Sequence, residues 1–274
     1  MREAQEKQVL VDILTVAARL KLPMLVVGAG ARILIFDRRY NIEGRATTDL
    51  DFAVRVDSWS DYQSLSAEMT HGSNPCFRAT DIPHKFIHIQ TGTEVDLVPF
   101  GPIGQPNQQI EWSDGNQMSL LGLDEALSSA EVLTMEGTEF KVVNTAAFLV
   151  LKLIAWNDRK AAKDLEDVYF ILNKYEDDRI YEELADELSQ GLIEFEQAAG
   201  FLLGRDIQKI FNEATIIELN KILSQILQNS NTLFPQLISY TVDTEEWDAK
   251  FDIIVCRFEA LQRGIEYINY RQTS

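Results

Sequence analysis

The chain has 274 residues, 46% hydrophobic and 25% charged, enough for one large domain or two ordinary ones with real cores. Its net charge of −18 argues against broad nonspecific binding to nucleic acid, while leaving room for a local basic patch that meets phosphates. Cys76 and Cys256 are far apart and in no ligand spacing, which excludes a disulfide framework and a cysteine zinc site and fits a reduced compartment.

Taken in chain order, Val9, Leu10, Ile13, Leu14, Val16, Ala17 and Leu20 repeat at helical spacing, and Pro23 stops the pattern. The charged segment before them has no apolar signal core, and no apolar run approaches the ~20 residues that span a bilayer, so a cytoplasmic protein with no membrane partner is expected. Met24 to Val27 reads as a short buried strand ending at Gly28, and Ala29 to Phe36 as a helix. Asp37 to Thr47 is polar and basic and reads as a loop. Leu50 to Val56 alternates as a strand, and Asp61 to Met69 looks helical. Lys85 to Gln90 and Glu94 to Phe100 flank the turn Thr91-Gly92-Thr93 and form a predicted hairpin. After a Gly/Pro/Gln-rich segment, Phe140 to Val143 is the last strand. Asn144 or Thr145 then caps a long helix, and the rest is helical and acidic. The expected division is an α/β domain over 1–143 and a helical domain over 144–274.

The richest stretch is Thr48-Asp49-Leu50-Asp51-Phe52. Alternate residues of a strand share a face, so Asp49 and Asp51 project together while Leu50 and Phe52 turn to the core. Two adjacent like charges suit a divalent cation with oxygen ligands such as Mg²⁺, although solvated acid pairs on edge strands are common. Asp96 sits on the predicted hairpin, on a face with Glu94 and Val98. If its strand pairs beside the Asp49/Asp51 strand, it completes a three-carboxylate cluster of the kind that holds two ions roughly 3.5–4 Å apart for phosphoryl or nucleotidyl transfer; otherwise it ends an edge strand in solvent. Gly28 ends a strand and opens a helix, where backbone N–H groups cradle a phosphate or glycine simply meets the turn's backbone angles. Lys152 lies on an apolar helix face, from which it snorkels to solvent or reaches a triphosphate. Asp164 and Asp167 suit a structural pairing with Arg159 or Lys163. His71, His84 and His88 make no metal pattern with the acids, and His84 reads as a surface histidine. Trp112, Trp156 and Trp247 read as core or interface aromatics.

Gly28-Ala29, then Arg45-Ala46-Thr47-Thr48-Asp49-Leu50-Asp51, then Asp96 on a hairpin, then Lys152, Arg159, Lys163-Asp164 and Asp167 together resemble the AbiEii-type nucleotidyltransferases of the DNA polymerase β-like superfamily. The likeness covers roughly residues 8 to 172. It implies an α+β fold: a nucleotidyltransferase-like mixed β-sheet with flanking helices, followed by a mainly helical C-terminal domain. It further implies that Asp49, Asp51 and Asp96 hold two Mg²⁺ ions, that Gly28, Ala29 and Arg45 lie at the nucleoside triphosphate (NTP), and that Lys152 contacts the nucleotide. Asp164 matches the family's late aspartate. Family members are mostly toxins of type IV toxin–antitoxin systems, and some add nucleotides to tRNA, so NTP, an acceptor (tRNA, protein or small molecule) and a cognate antitoxin are the implied partners. Ala29 departs from the usual Gly-Gly or Gly-Ser turn and removes a hydroxyl that would touch phosphate. That departure motivates a second reading as a nucleotide-binding module without turnover. The acidic charge motivates a third, as an aminoglycoside-type transferase acting on a small molecule.

Overall fold

The computed structural model describes residues 2–37, 49–135, 137–175, 177–238 and 244–267. The chain divides into two compact units, Met1–Asn144 and Thr145–Ser274.

Unit 1 is built on a seven-stranded mixed sheet of order β3-β4-β5-β2-β1-β9-β8. Its strands are β1 (Met24–Val27), β2 (Asp49–Arg55), β3 (Phe77–Ala79), β4 (Lys85–His88), β5 (Glu94–Phe100), β8 (Glu131–Met135) and β9 (Thr138–Val142), and a separate hairpin pairs β6 (Gln109–Glu111) with β7 (Gln117–Ser119). The β2–β5 and β1–β9 pairs are parallel, and the other pairs of the sheet are antiparallel. The centre of the sheet follows from its period-two pattern. Leu50, Phe52 and Val54 of β2 and Val95 and Leu97 of β5 are buried, whereas Asp49, Asp51 and Asp96 between them are half-exposed.

Helix α1 (Arg2–Arg19) buries Val9 and Ile13 completely, the stripe expected from its spacing. Helix α3 (Trp59–His71) begins in a capping box: the Ser58 hydroxyl accepts from the Asp61 amide at 3.3 Å, and the Asp61 carboxylate accepts from the Ser58 amide at 3.0 Å. Between β1 and β2, α2 (Gly28–Arg32) is only five residues long and passes directly into a π turn, Ile33–Asp37. The expected helix after Gly28 is therefore present, but too short in α form to carry much of a dipole. The predicted basic loop over 37–47, with Arg45, lies almost wholly outside the described residues.

Several elements between residues 101 and 139 escaped the sequence reading: a 3-10 turn at Pro102–Gly104, the β6–β7 hairpin, α4 (Leu123–Ser128) and β8. All are short, and β8 alternates intermediate and exposed residues with none buried, so no apolar period marks it.

Unit 2 is helical. Its described elements include α5 (Thr145–Arg159), α6 (Ala162–Lys174), α7 (Arg179–Glu183), α8 (Ala185–Ser189), α9 (Phe195–Ile210), α10 (Glu213–Gln228), α11 (Ser230–Leu233) and α12 (Thr244–Glu266). Helices α9 and α12 approach through glycine: a Cβ on Gly264 would stand 2.2 Å from the Phe201 carbonyl oxygen, and one on Gly204 would stand 2.4 Å from that of Leu261. No side chain fits there, so this crossing is fixed by backbone-to-backbone packing.

Candidate active site

Parallel pairing of β2 with β5 sets Asp51 directly opposite Asp96 and Asp49 opposite Glu94. This is the pairing that the sequence reading left conditional. Each of Asp49, Asp51 and Asp96 offers a carboxylate oxygen, and these oxygens lie within 4.8 Å of one another. Among the described residues they are the one group of three potential ligands gathered in this way. All three are half-exposed, so water and a soluble ligand can reach them while the strands hold their backbones.

Gly28 belongs to this cluster for a reason the sequence did not reveal. Its φ is +61°, a left-handed value that penalises a side chain, and a Cβ placed there would stand 2.0 Å from Asp51 Oδ2. The missing side chain thus gives room to the Asp51 carboxylate. At this point of the turn, the space a side chain would fill is taken by an acid.

A lysine that sequence reasoning missed completes the local charge pattern. Lys85 of β4 lies across from Asp96 in register, and its Nζ sits 2.9 Å from Asp96 and 2.9 Å from Glu94. Burial lowers the tendency of this amine to stay charged, but its hydrogen bonds to Asp96 and Glu94 outweigh that and hold its pKa above the ordinary lysine value. The turn-centred register 91–93 would have misaligned Lys85. In fact β4 ends at His88, whose amide donates to the Thr93 carbonyl at 2.9 Å, while the Gly92 amide donates to the His88 carbonyl at 2.8 Å.

Around Asp96 the polar groups are shaped by the same charge. The Tyr62 hydroxyl donates to the Leu97 carbonyl at 3.0 Å, and burial, with the Asp96 charge added, pushes its pKa well above the usual phenol range. His84 is half-buried rather than a surface residue, with its ring centroid 5.0 Å from that of Trp112. Burial lowers its pKa; Asp96 opposes that shift and Lys85 adds to it. His88 is also buried, bridging Asp12 through Nε2 at 2.9 Å and the Thr91 hydroxyl through Nδ1 at 2.8 Å. It ties α1 to the β4–β5 turn that presents Asp96.

The remaining expected residues lie in unit 2 and form a different kind of cluster. Lys152 does not snorkel to solvent: it is buried, with Nζ 2.7 Å from Asp167 and 3.5 Å from Asp164. Asp164 is fully buried and accepts two bonds from the Arg159 guanidinium, at 2.7 and 2.6 Å. The pairing of Asp164 with Arg159 is as expected. Asp167, by contrast, meets Lys152, because a turn of α6 brings both acids to the apolar face where Lys152 emerges from α5.

Residues 33–252 match the family model described as nucleotidyl transferase AbiEii toxin, type IV toxin–antitoxin system. Among solved structures, the antibiotic-resistance factor ANT(2'')-Ia is similar at 13% identity over 61% of this chain and 82% of its own, with a TM-score of 0.35. An antigenic nucleotidyltransferase-like protein from Paracoccidioides brasiliensis is similar at 17% identity over 60% and 74%, with a TM-score of 0.37. No curated protein matches the sequence. No described helix is long and apolar enough to cross a membrane.

Proposed function

The chain belongs to the AbiEii family of nucleotidyl transferase toxins, and on that premise we propose that it transfers a nucleoside monophosphate (NMP) from an NTP to an acceptor hydroxyl in a Mg²⁺-dependent reaction. The observation that carries this reading is the convergence of Asp49, Asp51 and Asp96, with oxygens within 4.8 Å of one another, on two adjacent parallel strands. The donor set fits a hard divalent cation: all three ligands are carboxylates, and the Gly28 turn leaves space for the Asp51 group. Bound there, Mg²⁺ would supply charge neutralisation at the phosphates and activation of the attacking oxygen.

The chain's own residues do the rest. Asp49 and Asp51 would hold the cations, and β2 keeps them on one face. Asp96 would also bind, and in this reading it would accept the proton of the acceptor hydroxyl. Lys85 holds Asp96 in position and moderates the repulsion among the acids. The resemblance assigns Lys152 a nucleotide contact, and Gly28, Ala29 and Arg45 a place at the triphosphate; Asp164 would position Lys152 through their ion pair. The acceptor to test first is tRNA, followed by protein and small-molecule hydroxyls, and a cognate antitoxin is the partner proposed from the family.

The test is incubation with Mg²⁺, each α-labelled NTP and total RNA, protein or an acceptor panel. Label should enter one acceptor class with release of pyrophosphate. Absence of transfer with every NTP, or transfer unchanged in Asp49→Ala and Asp51→Ala, would sink the proposal.

A further inference from the structure

Unit 1 carries a cavity of about 550 Å³ between α3, Pro83 and the β6–β7 hairpin, and none of the three carboxylates lines it. This is within the size range of small-molecule sites, roughly 300–1,000 Å³. One wall is aromatic. Trp59, Tyr62 and Trp112 pack edge to face with ring centroids 5.5–5.9 Å apart. Tyr62 and Trp112 are buried, while Trp59 remains 36% exposed and offers the accessible ring face.

The polar lining is selective. Gln63 and Ser113 supply neutral hydrogen-bonding groups, and Glu111 supplies the one carboxylate. No lysine or arginine is present among the described lining residues, and the one basic side chain there is the exposed His71, so the lining favours a neutral ring over a buried phosphate. A carboxylate beside an aromatic face instead recognises a flat ring that donates an N–H. The Trp112 indole N–H adds to this, because it is buried without an acceptor. Trp59 packs edge to face on Trp112 with ring centroids 5.5 Å apart, and a ring acceptor bound beside it would satisfy that donor.

We propose that this cavity is a nucleoside site that takes an amine-bearing nucleobase, adenine, cytosine or guanine: the ring stacks on Trp59, the exocyclic amine donates to Glu111, and any phosphate remains outside. The site lies along the chain from the acids, since Pro83 on its wall leads through His84 to Lys85, the partner of Asp96. Binding there requires no divalent cation and no turnover, so it stands apart from the transfer reaction.

The test is calorimetry on the full chain in EDTA, with adenosine, cytidine, uridine, the oligoribonucleotide rA6 and spermidine as titrants. Adenosine or cytidine should bind with a Kd on the order of 0.1 mM, as expected for a ligand of nucleoside size. Uridine should bind roughly tenfold more weakly, because its one ring donor, N3–H, is flanked by two carbonyl oxygens that the Glu111 carboxylate repels. Trp59→Ala, at an exposed position that leaves the core intact, and Glu111→Gln should each weaken adenosine binding roughly tenfold. If rA6 binds about tenfold more tightly than adenosine, the source is an RNA end; equal affinity assigns a free nucleoside or nucleotide. No saturable nucleoside binding up to millimolar concentration, wild-type affinity in both variants, or displacement of adenosine by spermidine overturns the proposal. A chain that binds adenosine yet transfers no nucleotide keeps this site and loses the reading of the three acids.

Discussion

Two acid clusters in this molecule use the same residue types to opposite ends. In unit 1, Asp49, Asp51 and Asp96 crowd together half-exposed, each on a strand and turned away from the core. In unit 2, Asp164 and Asp167 are buried and locked to Lys152 and Arg159. Buried charges persist only when paired, and a buried network of this kind holds helices in place. Carboxylates gathered within reach of solvent do little for folding and are suited to an incoming cation. The difference separates a cluster open to a ligand from one locked into the packing, which neither residue identity nor spacing distinguishes.

That comparison can be broken by substitution. Asp49→Asn with Asp51→Asn should reduce nucleotidyl transfer by roughly 10³-fold or more while leaving the melting temperature within a few degrees, as read by label transfer and calorimetry. Asp164→Ala should instead act chiefly on stability, in unit 2. It leaves Lys152 and Arg159 without their shared partner and should cost about 3–5 kcal/mol in denaturant unfolding. A stable Asp164→Ala protein would mean that the network is not structural.

Gly28→Ala should cost about 1–2 kcal/mol for its left-handed backbone alone, and should lower transfer at least tenfold because the new Cβ displaces the Asp51 carboxylate. Lys85→Met removes a positive charge beside Asp96. The Mg²⁺ concentration at half-maximal activity should fall roughly two- to fivefold, with a stability change of about 1 kcal/mol or less.

The smallest effect is a pH dependence in unit 2. Burial raises the Asp177 pKa, but hydrogen bonds from Arg179 and Tyr175 outweigh it and bring the carboxyl down to about 2. Because the folded value lies below the ordinary aspartate value of about 3.9, this group stabilises the fold above that pH. The contribution disappears as the pH falls through about 2. In acid titrations the stability gap between wild type and Asp177→Asn should therefore be full near pH 5 and narrow between about pH 4 and 2.

Much of the centre of unit 1 was legible because alternation is strong there. Leu50 and Phe52 point inward, so Asp49 and Asp51 had to point outward, and Val95 and Leu97 placed Asp96 in the same way. The adjacency of β2 and β5 was not legible, because no local pattern states which strands become neighbours. The role of Lys85 was hidden by the hairpin register, and that of Gly28 by a contact with Asp51, a residue 23 positions away in the chain. His88 read as unremarkable because its partner Asp12 comes from α1. In the helical half, Gly200 and Gly204 carried a packing signal in their four-residue spacing and lack of side chains, but its meaning needed the partner helix that bears Gly264.

The central claim, that the half-exposed acids of unit 1 bind the divalent cation and the buried acids of unit 2 do not, is tested most directly by Mn²⁺ titration followed by electron paramagnetic resonance. Wild type and Lys152→Met should bind the ion with similar affinity, whereas Asp51→Asn should weaken binding roughly a hundredfold. Unchanged Mn²⁺ binding in Asp51→Asn, or its loss in Lys152→Met while the protein remains folded, would contradict the account.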